Sequence, residues 1–237
     1  MHTSELKYCD EKTPLLRQPR REHQVVPMKR AHMARGADGV HRAFTYDSLM
    51  VYFASVDTAP FREARQKAGY YIMFDGAIRQ GRMLTVDEGR AVMKYGGPGD
   101  GKPPRLHRFL TWVLDQFDTP ELVKRKTEFM GKVVAMVTDA LGEKVADMYE
   151  IQAIATAPEA QERGYGTALV TTVTDMGDAQ GRDVWLITTD AYPFYESLGF
   201  STIRSDLVGA DNSAWDGAPI TIRLVSLSCR WKTCDVS

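Results

Sequence analysis

The chain has 237 residues, 43% hydrophobic and 26% charged, with a formal net charge of −1. This is the composition of a globular protein with a sizeable core, and it excludes a polyelectrolyte mode of binding to nucleic acid or anionic lipid. Cys9, Cys229 and Cys234 lie at the two ends in odd number and without framework spacing, which argues against a disulfide-stapled scaffold and leaves zinc a weak reading.

Residues 1–35 carry Pro14, Pro19 and Pro27, show no apolar period and read as a disordered tail. Charges interrupt the region where a signal core would lie, and no apolar run reaches the roughly 20 residues that cross a bilayer. A cytoplasmic protein is expected, with no nucleic-acid partner, no membrane partner and no metal. The folded domain is expected over 36–228, with its first element near His41 and a short tail over 229–237.

Leu49, Met50 and Phe53 have helical spacing, with Thr45 or Asp47 as cap, and a second helix is expected over 60–73. Met83–Val86 and Ala91–Tyr95 flank a polar Gly-containing turn and predict a β-hairpin. The loop from Gly96 to Pro103 comes near the phosphate-binding G-x-x-x-x-G-K-[ST] pattern, but Pro103 follows Lys102 where a Ser or Thr is required. A connecting loop is the better reading.

Leu106, Phe109, Leu110, Val113, Leu114 and Phe117 form an amphipathic stripe. Thr119 then caps another helix, with Pro120 at its first position and an apolar face running to Leu141. The remainder alternates. A strand is expected over 147–156, a helix over 165–180, a strand over 184–188, a short helix over 193–198, and strands near 200–204 and 218–225. Such alternation predicts an α/β fold with helices layered on a mixed sheet.

The segment from Ile154 to Leu169 carries the most information. An apolar strand runs into a turn, and Gly164 and Gly166 open an amphipathic helix. Glycines let a backbone approach a ligand closely, and a helix N-terminus offers unpaired N–H groups and a positive dipole end. The combination suits an anionic diphosphate.

Gln161-Glu-Arg-Gly164-Tyr-Gly166 resembles the acetyl-CoA signature Q/R-x-x-G-x-G/A of the GNAT acetyltransferases. Phe194-Tyr195-Glu-Ser-Leu-Gly199-Phe200 resembles the F-Y-x-x-x-G-F segment that ends the same motif region. The long helices ahead of the signature strand resemble a fungal-type branch of that family. The resemblance implies a GNAT fold, with a mixed central sheet, helices on both faces and a V-shaped slot for acetyl-CoA. It implies pantetheine along Ile154, Ala155 and Thr156, and a diphosphate on Gln161, Glu162, Arg163, Gly164, Tyr165, Gly166 and Thr167. The implied reaction is acetyl transfer to an amine, on a small molecule in the first reading and on a peptide or protein in the second. A non-catalytic acyl-CoA-binding domain is the rival from another class.

Two residues carry the chemistry the resemblance implies. Tyr195 stands where many GNAT enzymes keep the acid that protonates the leaving thiolate. Glu150 stands where the histone-acetylating branch keeps its base, with Asp147 and His107 as further candidates. Strict alternation along the strand would put Glu150, Gln152, Ile154 and Thr156 on one face unless a bulge intervenes. The Asn that many members carry shortly before the Tyr is missing, and Thr188, Thr189 and Asp190 stand in its region.

Overall fold

The hairpin and the apolar strands assemble into one seven-stranded sheet, seen in a computed structural model that describes residues 23–101 and 104–229. The strands are β1 (Val26–Pro27), β2 (Met83–Val86), β3 (Ala91–Gly96), β4 (Tyr149–Thr156), β5 (Val184–Thr188), β6 (Ser201–Val208) and β7 (Ile220–Leu227). Their order is β1-β2-β3-β4-β5-β7-β6, and every neighbouring pair is antiparallel except the parallel pair β4–β5. The helices are α1 (Met33–Ala43), α2 (Ser48–Ala54), α3 (Arg62–Arg79), α4 (Arg105–Asp115), α5 (Pro120–Ala140), α6 (Tyr165–Gln180) and α7 (Tyr192–Ser197).

Local signals explain where these elements begin. Asp47 accepts the Met50 N–H at 3.0 Å and caps α2, while Thr119 accepts the Leu122 N–H at 3.1 Å ahead of Pro120 in α5. In the β2–β3 turn the Thr85 hydroxyl accepts from the Gly89 N–H at 2.9 Å and donates to the Ala91 carbonyl at 2.8 Å.

The two faces of the sheet are covered differently. On one face α6 buries Leu169, Val170 and Val173 against Met93, Tyr149, Ile151 and Leu186. Burial of each such side chain stabilises the fold by about 1.5–3 kcal/mol. On the other face α1 and α3 cover the β2–β4 half through Phe74, Ala77, Val92 and Ala155. There α2 and α5 cover the second half, with Leu49, Tyr52 and Met136 against Trp185, Ile222 and Leu224. The helical cover on this face therefore divides along the β4–β5 line.

The structure departs from the sequence expectations in two places. Residues 26–43, expected mostly in the tail, contribute β1 and α1, and Met28, Met33, Ala37 and Val40 are core residues. The remainder of that tail up to residue 22, the segment 230–237, Cys9 and Cys234 lie outside the described residues. The amphipathic stripe of α4 does form a helix, but its apolar side faces outward. Leu106, Phe109 and Trp112 are each more than half exposed, and His107 is the buried residue of this helix. A periodic stripe predicts the helix without saying what covers it.

Candidate active site

The slot begins where the sheet opens. β4 and β5 pair only at Tyr149–Val184 and Glu150–Trp185, and no pairing continues along the rest of β4. Among the described residues no strand pairs with the β5-facing backbone edge of residues 151–156, which, apart from the Thr156 carbonyl held by Gln161, is available to an extended partner, as a sheet edge is. Ile154, Ala155 and Thr156 lie on this stretch and keep their pairing with β3 on the other side.

The strand leads directly into the cradle. Left-handed conformations at Glu162 (φ 61°) and Gly164 (φ 85°) turn the chain into α6. Glu162 is not a glycine and holds that geometry at a cost of about 1–2 kcal/mol. The first intrahelical bond runs from Ala168 N–H to the Gly164 carbonyl, so the N–H groups of Tyr165, Gly166 and Thr167 have no intrahelical acceptor.

Side chains brace this turn, and His23 lies against it, bonding the Arg163 carbonyl at 2.5 Å and standing edge-on to Tyr165 at 4.6 Å. Gln161 Nε2 donates to the Thr156 carbonyl at 3.2 Å, and Arg163 donates back to the Glu159 carbonyl at 2.8 Å. The Tyr165 hydroxyl donates to Asp87 at 3.0 Å. A Cβ at Gly166 would stand 3.4 Å from the Phe194 ring, so α6 and α7 meet closely here. Outward N–H groups, the dipole end of a 16-residue helix and a glycine-lined approach fit a diphosphate.

The two chemical candidates flank the split sheet from opposite faces. Tyr195 is 4% exposed and belongs to the core beneath α6, edge-on to Phe194 and Phe200 at 5.1 and 5.8 Å. Burial pushes its phenol well above the ordinary value, which holds the group protonated as a proton donor requires. Glu150 pairs with Trp185 at the crotch of the opening and projects toward the opposite face. Its carboxylate accepts from Gln152 Nε2 at 2.8 Å. This pair lies over Gly96, where an added Cβ would stand 2.8 Å from Gln152 Nε2 and displace it.

A bulge corrects the strict alternation of β4. Tyr95 pairs with Ile151 and Lys94 with Ala153, so Gln152 is an extra residue. Beyond it the faces exchange. Ile154 packs with Tyr149 and Ile151 on the α6 side, and Ala155 joins the core on the Glu150 side.

The other candidates stand apart. Asp147 is exposed and ion-paired to Arg182 at 3.0 Å. His107 is buried and bonds through Nε2 to Asp75 at 2.9 Å, joining α4 to α3. Where the family Asn is missing, Thr189 donates to Asp47 at 3.2 Å. Asp190 accepts from the Ser48 N–H at 2.9 Å and from its hydroxyl at 3.0 Å. These residues hold the start of α2.

Above the divide on the Glu150 face lies a cavity of about 760 Å³, bounded by α2, α3, α4, α5 and Lys94 of β3. Phe53, Tyr70, Met73 and Trp112 give it an apolar lining. Fully buried Arg125 fixes two of its walls. It bonds to Glu121 on its own helix at 3.1 Å, to Ser55 beyond α2 at 2.8 Å and to the Ala214 carbonyl in the β6–β7 loop at 2.7 Å. The sequence marked neither Lys94 nor Arg125 as functional; a lone cation inside the apolar run Ala91-Val-Met-Lys94-Tyr was the available signal for the first.

Residues 121–202 match the family described as the acetyltransferase (GNAT) domain. No curated protein matches the chain. Similar solved structures include the C-terminal condensation domain of Ebony in complex with beta-alanyl-dopamine, with a TM-score of 0.59, 10% identity, and 86% of this chain and 98% of that one covered. An agmatine N-acetyltransferase variant in apo form gives a TM-score of 0.57 at 16% identity, over 87% and 99% of the two chains. Drosophila melanogaster polyamine N-acetyltransferase gives 0.53 at 15% identity, over 86% and 100%. With its opened β4–β5 pair and the glycine turn at the start of α6, this chain has the GNAT fold, and its residues 121–202 are those that match the GNAT acetyltransferase domain.

Proposed function

We propose that the protein is an acetyl-CoA-dependent N-acetyltransferase acting on a primary amine of a small molecule by direct transfer. The observation that carries this reading is the open edge of β4 running straight into the turn at 161–164 and the unpaired N–H groups of residues 165–167. Extended pantetheine fits the first and a diphosphate the second. A cavity of about 760 Å³ on the opposite face supports a small acceptor, because it lies in the size range of small-ligand sites. The pair α4–α5 ahead of β4 supports the fungal-type branch.

The balance of the step assigns the two flanking groups. A bond forms between the amine nitrogen and the acetyl carbon, and the carbon–sulfur bond breaks. Glu150 receives the proton that the amine sheds, directly or through water, and the Tyr195 phenol gives one to the departing thiolate. An amine of pKa about 10.4 costs on the order of 4–5 kcal/mol to deprotonate at neutral pH, so a base on the acceptor face is needed.

The test is thiol release from acetyl-CoA across a panel of amines, with thermal shift measured alongside. A ligand at a hundred times its dissociation constant stabilises by about 2.7 kcal/mol, roughly 5–11 °C for a domain of this size. Acetyl-CoA is expected to give that shift and ATP and NAD much less. Equal stabilisation by all three would defeat the reading. Stabilisation without thiol release from any amine would favour the non-catalytic alternative.

A further inference from the structure

The charges lining the acceptor cavity are not evenly satisfied. Asp57 pairs with Arg65 at 2.6 Å, and both side chains are nearly buried. Asp118 pairs with Lys126 at 2.5 Å, and Asp115 reaches the same ammonium at 4.0 Å. The cavity carboxylates are thus already matched.

Lys94 differs. It is half-buried, it is the sheet's contribution to the cavity, and it has no carboxylate within 4.0 Å among the described residues. Its register matters as much as its charge. Lys94 opposes Ala153 immediately after the bulge, on the face that also carries Glu150 and Gln152. An ammonium with no carboxylate in direct contact therefore stands on the same face as the candidate base, close enough to feel its charge, at the end of the cavity nearest the opening in the sheet. Burial holds it below its ordinary pKa, with Glu150 pulling the other way, so an anion brought into the cavity would supply what its surroundings lack.

We propose that Lys94 is a specificity-determining residue that binds a carboxylate of the acceptor, so that the preferred substrates are amines carrying both a carboxylate and an apolar body. The apolar body packs among Phe53, Tyr70, Met73 and Trp112, the carboxylate meets Lys94, and the amine is left beside Glu150. Apolar α-amino acids have this arrangement of groups, and their decarboxylated amines lack only the anion. The inference rests on the acetyltransferase reading above.

The experiment compares phenylalanine with phenethylamine and tryptophan with tryptamine, at saturating acetyl-CoA, in the wild type, Lys94→Met and Lys94→Arg. The wild type is expected to have a kcat/KM at least tenfold higher for each amino acid than for its decarboxylated partner. Lys94→Met should raise KM for the amino acids about tenfold or more and leave KM for phenethylamine and tryptamine unchanged. Lys94→Arg should restore much of the loss, because the charge is retained. A wild type that prefers the decarboxylated amines overturns the proposal while leaving an active enzyme. An equal drop in kcat for both kinds of acceptor in Lys94→Met also overturns it, since Lys94 would then act on Glu150. If no amine supports thiol release and acetyl-CoA gives no thermal shift, the acetyltransferase reading itself falls, and this inference with it.

Discussion

The proposed cofactor cradle and the proposed acceptor cavity are built on opposite principles. The backbone of the cradle comes from a single stretch, residues 149–167, with a strand edge open beside β5, left-handed residues at Glu162 and Gly164 and the first turn of α6. His23, Asp87 and Phe194 pack against it from elsewhere in the chain. The cavity draws on α2, α3, α4, α5 and one residue of β3, and offers side chains. Backbone recognition depends on where glycines fall and tolerates change elsewhere, so it leaves a short readable motif. Side-chain recognition from separate elements depends on how distant parts pack, so its specificity is dispersed along the sequence.

Breaking the cradle should have the largest effect and leave the cavity intact. Gly164→Val forces a β-branched residue into φ 85° and directs its bulk against the His23 ring, 3.6 Å from an added Cβ, so the turn that presents the N–H groups must shift. The expected result is complete loss of the acetyl-CoA thermal shift, with the unliganded protein destabilised by only about 1–2 kcal/mol. A retained shift would mean that the diphosphate binds elsewhere.

The next test lies between the two regions, on the α6 face. Tyr195→Phe keeps the packed ring and removes the proton, so kcat should fall roughly 10–1000-fold with little change in melting temperature. The measurement belongs where chemistry limits turnover, and an unchanged kcat there would reduce Tyr195 to packing.

On the cavity side Glu150→Gln keeps the shape of the base and removes its function. The rate at neutral pH should drop by roughly 10–100-fold and the acid limb of the pH profile should flatten. At high pH the amine loses its proton unaided, and the variant should recover much of the wild-type rate. An acid limb unaltered by the substitution would shift attention to an ordered water.

The smallest effect is expected at the joint that holds α4 over the cavity. Asp75 accepts from Arg79 at 2.7 Å, Arg30 at 2.6 Å and His107 at 2.9 Å, and these partners, Arg79 foremost, hold its carboxyl well below the ordinary range. A lowered folded-state pKa stabilises above the unfolded value of about 3.9 and loses that stabilisation as the pH falls below it. Asp75→Asn should therefore cost about 1 kcal/mol near neutrality, discounted for solvent exposure, and the difference from wild type should shrink toward pH 3 in denaturant titrations. A difference that stays constant across that window would remove Asp75 from the ledger of acid-sensitive contacts.

How far the sequence could be read follows the same division. The strand, the glycine turn and α6 were legible because local periodicity and Gly164 are enough to specify them. The bulge at Gln152 was not, since one extra residue in a strand changes the facing of everything after it while barely changing composition. β1 is two residues long and too short to produce a pattern. The stripe on α4 predicted a helix correctly, but its surroundings depend on α3 and on a loop with no regular spacing. Asp190 was readable as a polar residue near the missing Asn, whereas its use as an anchor for Ser48, 142 residues away, exists only in the folded chain.

The outward-facing side of α4 gives the molecule an optical property. Trp112 is 56% exposed, stacks on Phe109 at 5.9 Å and lines the acceptor cavity, whereas Trp185 lies buried under α2 and α5. Its indole therefore emits from a wet environment next to the space an acceptor would fill. Occupancy of that space should move its emission toward shorter wavelength and shield it from a soluble quencher, while Trp185 stays dark to both changes. Acceptor binding can thus be followed in the unlabelled protein, separately from turnover, with Trp112→Phe as the blank.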